Sequence, residues 1–214
     1  MKALVLALAV SFAARAGTSK LTFTKSFPGS VPAYVCLDID RSGEVSYKEA
    51  AHDDQPVKAQ LTETEAAALF TMAEGLHYFK SPLESGLKVA NTGKKTFRYE
   101  DENGAATEAT FNYSTNETAQ QLLDRFEQIA ESERAYSELD RTMRYDKLGV
   151  NDALAEIESL WVRKQLAAPQ QFIPLFTRIA THESFMHLVR DRAARLKDEF
   201  QSGSPSIAAE QKQK

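Results

Sequence analysis

Six oxygen-bearing residues, Asp38, Asp40, Ser42, Glu44, Ser46 and Glu49, fall within twelve consecutive positions, with Gly43 at the sixth. A hard divalent cation such as calcium takes about six to eight oxygen ligands, and a glycine midway along the loop permits the sharp turn that gathers them. In that chemistry Asp38, Asp40, Ser42 and Glu49 bind through side-chain oxygens. Glu44 binds through its carbonyl, and Ser46 binds directly or through a water.

The run from Asp38 to Glu49 resembles the calcium loop of the EF-hand family at all twelve positions. The resemblance implies calcium as cofactor and a helix on each side of the loop. The flanking residues point to other elements. Pro28, Gly29 and Pro32 precede the loop, and Val35, Leu37 and Ile39 alternate with Tyr34, Cys36 and Asp38, the period of a strand. After Glu49, the stretch from Ala50 to Pro56 has room for two helical turns at most. An acidic hairpin turning at Arg41-Ser42-Gly43 uses the same letters, with Asp38 and Asp40 on its solvent face. The flanks favour the hairpin and keep the calcium loop as the alternative. Pro32-x-Tyr34, Gly43-x-Val45-x-Tyr47 and a capped helix near Thr62 are together similar to uncharacterised bacterial exported domains, over residues 27–80. That likeness implies a strand, turn and strand arrangement and no particular activity.

Other chemistry is thinner. His182 and His187 stand five positions apart, about 140° around a helix, so they do not face one metal as an i, i+4 pair does. His187 with Glu183 or Asp191 reads as a surface pair. Ser30 lacks the second glycine of a nucleophile elbow, and no phosphate-binding loop or dinucleotide fingerprint occurs. Cys36 is the only cysteine and reads as a small buried apolar residue. The expectation is therefore a protein without catalytic activity that works by contact with another protein. The alternatives are a calcium-binding module at 38–49 and a hydrolase with a dispersed site.

The elements that would position these residues follow from periodicity. The hairpin around Gly43 is succeeded by a helix at about 63–75, where Thr62 and Glu65 form a capping box and Ala66, Leu69, Phe70 and Ala73 make an apolar stripe. Residues 80–93, with Pro82, Gly86 and Asn91, read as a connection. A second hairpin turns at Asn103-Gly104, and Ser114 with Glu117 opens a long helix bearing Leu122, Phe126, Ile129, Tyr136 and Met143. The order ββα, ββα predicts an α+β fold: an antiparallel sheet from two such units, in the form of a pseudo-repeat, followed by a C-terminal helical hairpin or three-helix region. Asn151 or Asp152 is expected to cap the next helix, and Pro169 to separate it from the last, with Pro174 in that helix's first turn and a restart at Thr181. The apolar strip of the helix at 115–145 outlasts what a small sheet can cover: the following helices folding back as a bundle would bury it, and a partner protein docking on the remaining strip is the functional alternative.

Residues 1–16 carry Lys2, an apolar run and Ala14-Arg15-Ala16, the order of a secretory leader, so the chain is expected to be exported to a periplasm or the exterior. Without them, 24 basic residues face 30 acidic ones, a poor balance for neutralising nucleic-acid phosphates. No later run is apolar enough to span a bilayer. The expected organisation is a leader (1–16), an α+β domain (17–113), a helical region (114–200) and a disordered tail (201–214).

Overall fold

The computed structural model describes residues 18–204, so the leader and most of the tail lie outside the described residues. Six strands form one antiparallel sheet: β1 (Lys20–Ser26), β2 (Tyr34–Asp40), β3 (Glu44–Lys48), β4 (Val57–Gln60), β5 (Lys94–Glu100) and β6 (Ala106–Phe111), in the spatial order β4-β3-β2-β1-β5-β6. Five helices accompany it: α1 (Glu63–Gly75), α2 (Glu117–Tyr145), α3 (Val150–Val162), α4 (Ile173–Thr181) and α5 (His187–Ser202). The fold is α+β, as the periodicity predicts. Four strands precede α1 and two more stand between α1 and α2. The additional strands are β1, which lies just past residues 1–16, and β4, whose four residues Val-Lys-Ala-Gln alternate but are too few to stand out as a strand. No helix among the described residues is long and apolar enough to cross a membrane.

Alternation gives the sheet two unlike faces. Leu21, Phe23, Leu37, Ile39, Val45, Tyr47, Phe97 and Phe111 are buried on one face under α1 and the first half of α2. Thr22, Thr24, Asp38, Ser46, Thr96 and Arg98 alternate with them on a polar face that water can solvate. Phe23 stacks on Phe126 of α2 with ring centroids 5.1 Å apart, and Phe97 stands against Phe111, Phe79 and Phe126 at 5.0 to 5.4 Å.

The 29 residues of α2 extend about 43 Å, further than the sheet can cover. Its first half, with Leu122, Phe126 and Ile129, belongs to the sheet's core. Its second half, with Ala135, Leu139 and Met143, belongs to a separate core formed with α3, α4 and α5, where Phe200 meets Trp161, Phe172 and Phe176. The boundary between the two cores therefore falls inside α2. The apolar strip on α2 is consumed by these two interiors: Leu122, Phe126, Ile129, Leu139 and Met143 are all buried. The following helices fold back over its second half, as the bundle reading expects, and leave no free strip at these positions for a partner.

The ends of the helices depend on side-chain chemistry. Thr62 and Glu65 make the expected capping box on α1. For α2 the cap is Asn116, whose side chain accepts from the Ala119 N–H, while Ser114 is buried and its hydroxyl accepts from the Asn116 N–H. An amide oxygen at Asn116 reaches the first-turn donors, and Ser114 sits too early to do so. Neither Asn151 nor Asp152 caps α3; it begins at Gly149, whose N–H bonds back to Asp146. The last helix is split in two by His182–Met186, with Phe185 turned inward.

Candidate ligand cleft

The residues of the calcium-like run lie in β2, its turn and β3 and have other partners. Asp38 Oδ1 accepts from Thr22 Oγ1 at 2.7 Å, across the polar face of the sheet. Asp40 Oδ1 accepts from Ser42 Oγ at 2.6 Å and from the Glu44 N–H at 3.0 Å, and the Gly43 N–H donates to the Asp40 carbonyl. Glu44 faces Lys58 at 3.1 Å. Ser46 pairs with Asp38 in the strand register. Glu49 accepts from the Tyr47 hydroxyl at 2.7 Å. The structure thus brings Asp40 and Ser42 together and Asp38 beside Ser46, but sends Glu49 to Tyr47, a core-face residue. Among the described residues no group of three or more His, Cys, Asp or Glu side chains is placed to hold a metal ion.

The second hairpin explains the letters. Asp101 Oδ1 accepts from the Asn103 and Ala105 N–H groups, and the Gly104 N–H donates to the Asp101 carbonyl. In both turns an aspartate gathers backbone donors and a glycine three positions on takes positive φ, +86° at Gly43 and +83° at Gly104. Asp-x-x-Gly is a shared turn device. At Gly43 there is also no room for a side chain, because a Cβ would stand 2.6 Å from the Leu61 carbonyl oxygen.

The other residues singled out by sequence are separated. Cys36 is a buried free thiol on the polar face, with burial and the nearby Asp38 pushing its ionisation up, the wrong direction for a nucleophile. His187 Nδ1 lies 2.7 Å from Asp191 at the start of α5, and His182 bonds to Ser184 in the preceding connection.

A cleft of about 670 Å³ opens where the ends of β1 and β2 and the loop between them face α2 and the segment after α3. This volume falls within the range of about 300–1,000 Å³ usual for ligand sites. Phe23, Val35, Tyr47 and Leu160 give it an apolar floor. Along α2, Asp124, Glu127, Glu131 and Arg134 recur at three- and four-residue steps and so share one face of the helix. Lys25 faces Glu127 at 2.7 Å, and Arg134 bonds Glu131 at 2.7 Å while also meeting Glu156 of α3. These carboxylates hold the Arg134 guanidinium more firmly protonated than usual. Lys164 lines the cleft from the segment after α3, and Val31 at the lip is 99% exposed. Burial and the bond to Glu49 push the Tyr47 phenol's ionisation upward, so its hydroxyl stays protonated as a donor.

None of these wall residues was singled out by motif, because Lys25, Glu127 and Lys164 are far apart in sequence and meet only in the fold. The signal within reach was the charged stripe from Asp124 to Arg134. No protein family, curated protein or solved structure matches the chain, so the functional reading stands on this geometry.

Proposed function

We propose that the chain is an exported protein that recognises a segment of another polypeptide in the cleft between the sheet and α2. The observation that carries this reading is the combination of an apolar floor with walls bearing both signs of charge. An extended peptide offers all three kinds of partner group. The wall from Asp124 to Arg134 is about 15 Å long, the span of about four to five extended residues. Val31, exposed at the lip, adds an apolar contact where a chain would enter. The order of charges, apolar residues and small residues in 1–16 supports the export half of the reading.

The test is selection from a phage-displayed random heptapeptide library on the chain lacking residues 1–16. Enriched sequences should combine an apolar anchor with charged flanks. Their capture should fall at least about tenfold on Ala130→Trp, which fills the cleft from α2, a loss of about 1.4 kcal/mol. Undiminished capture by Ala130→Trp, or no enrichment above bare beads, overturns the reading. Mass spectrometry of the exported product should find Gly17 as its first residue; retention of residues 1–16 would remove the export half.

A further inference from the structure

The segment between α3 and α4, residues 163–172, lies along α2 as a strap and supplies Lys164 and Gln165 to the cleft wall. Two of its residues, Lys164 (φ 57°) and Ala168 (φ 44°), hold left-handed backbone that non-glycine residues avoid, so its path depends on anchors. Three side chains of α2 provide them. Gln128 Nε2 donates to the Lys164 carbonyl at 3.4 Å, Ser132 Oγ accepts from the Ala167 N–H at 2.8 Å, and Glu133 Oε1 accepts from Gln171 Nε2 at 2.8 Å. Ser132 and Glu133 are wholly buried.

The third anchor is incomplete as a carboxylate. Glu133 Oε2 and Gln171 Oε1 are both buried without a hydrogen-bond partner. They belong to the two side chains that already share one hydrogen bond, and both are acceptors, so a single proton would serve both. With that hydrogen on Glu133 Oε2, the acid donates to Gln171 Oε1 while Gln171 Nε2 donates to Oε1. The acid and the amide then close a ring with each facing polar atom satisfied. We infer that Glu133 is a neutral carboxylic acid in the folded protein, and that loss of its proton to solvent loosens the strap and one wall of the cleft. Only the clause about the cleft rests on the function proposed above.

No cation contributes to the electrostatics at Glu133, where burial and the Gln171 hydrogen bond are the causes at work. On α2 itself, Arg134 is turned to Glu131 and Glu156, and the group in electrostatic contact with Glu133 is the Tyr136 phenol. The turn Pro169–Phe172 carries no charge, and α4 carries only Arg178, which is exposed. On α3 and α5, Glu158 and Glu199 are engaged with Arg195, and Arg192 with Glu158. Burial accordingly lifts the ionisation of Glu133 from 4.5 to about 7, with the Gln171 donor pulling weakly the other way. A carboxyl raised in the folded state contributes its full stability below the unfolded value near 4.5, and that contribution is lost as pH rises through about 7.

The experiment is a carboxyl-carbon NMR titration of the ¹³C-glutamate-labelled chain, paired with hydrogen exchange of the amides in 163–172 at several pH values. One glutamate carboxyl should titrate near 7, and it should vanish in Glu133→Gln. Strap protection, corrected for intrinsic exchange, should fall by up to about 300-fold between pH 4.5 and 8 in the wild type and stay level in Glu133→Gln. The inference is overturned if every glutamate carboxyl titrates in the ordinary range, or if wild type and Glu133→Gln protect the strap equally at pH 8. Neither readout involves a peptide, so a failed peptide selection beside a carboxyl near 7 counts against the cleft alone.

Discussion

The two cores of this protein differ in how completely they satisfy what they bury. The sheet core encloses one charged side chain, Lys95. Its ammonium donates to Thr92 Oγ1 and to the carbonyls of Thr92, Gly93 and Asn112, at 2.7 to 3.4 Å. The helical region encloses Glu133 and Glu199, and among the described residues it holds the five buried side-chain atoms without a partner: Glu133 Oε2, Trp161 Nε1, Gln171 Oε1, Arg190 Nε and Glu199 Oε2. Backbone ladders leave the sheet few loose ends, whereas helices joined by irregular connections meet through side chains. The sheet is a settled framework, and the helical region keeps a reserve of unmade hydrogen bonds that conditions can draw on.

The largest effect that could break this contrast comes from Phe126→Ala. It removes the ring stacked on Phe23 and should cost about 3–5 kcal/mol in denaturant unfolding. Because α2 is common to both cores, a single transition at lower denaturant is expected. Two transitions, with the helical one unmoved, would make the cores independent units. Next in size is Glu133→Gln at pH 8, which removes an ionised carboxyl from a wholly buried position and should stabilise the helical region by up to about 3 kcal/mol, with no gain at pH 4.5. Thermal melts across that range read the difference directly. Lys95→Met leaves three carbonyls without their donor and should cost about 2 kcal/mol near neutral pH. Burial lowers the affinity of Lys95 for its proton, so its own contribution runs opposite to Glu133, rising with pH through the lowered value. Smallest is Trp161→Phe: the indole N–H has no partner to lose, so calorimetric stability should change by less than about 1 kcal/mol.

Local chemistry made much of the fold readable. The hairpins β2–β3 and β5–β6, and α1 behind Thr62, each carry turn or cap residues whose function needs no distant partner. β1 was harder because it stands beside the apolar run of residues 1–16, and β4 because four alternating residues are too few to distinguish a strand from chance. The break at His182–Met186 depends on Phe185 finding a place in the helical core, a tertiary event that local propensity does not register. The candidate site was mostly hidden for the same reason. Its letters on α2 were visible, but their partners Lys25 and Lys164 are brought in by topology. Glu133 was visible in another sense: it stands between Ile129 and Tyr136 on the apolar stripe, a charged letter where burial was expected. Asp40 was legible in two ways, because a turn aspartate and a metal ligand are spelled alike, and the flanking prolines and strand period favoured the turn that the hairpin shows.

The place of β1 bears on how the chain reaches this structure. It is the first strand in the described chain, yet it ends up interior to the sheet, with Lys20 opposite Glu100 and Ser26 opposite Lys94 on its far side. The early meander can form from near neighbours, but its flank at β1 stays open until a strand about 70 residues later arrives, and Phe23 stays without its stacking partner until α2 follows. Closure is thus a late, long-range event that sets a slow tempo for folding. Until then the exposed edge of β1 is the surface most prone to pairing with another molecule, so a newly made chain has its greatest need of protection before residue 126 is in place.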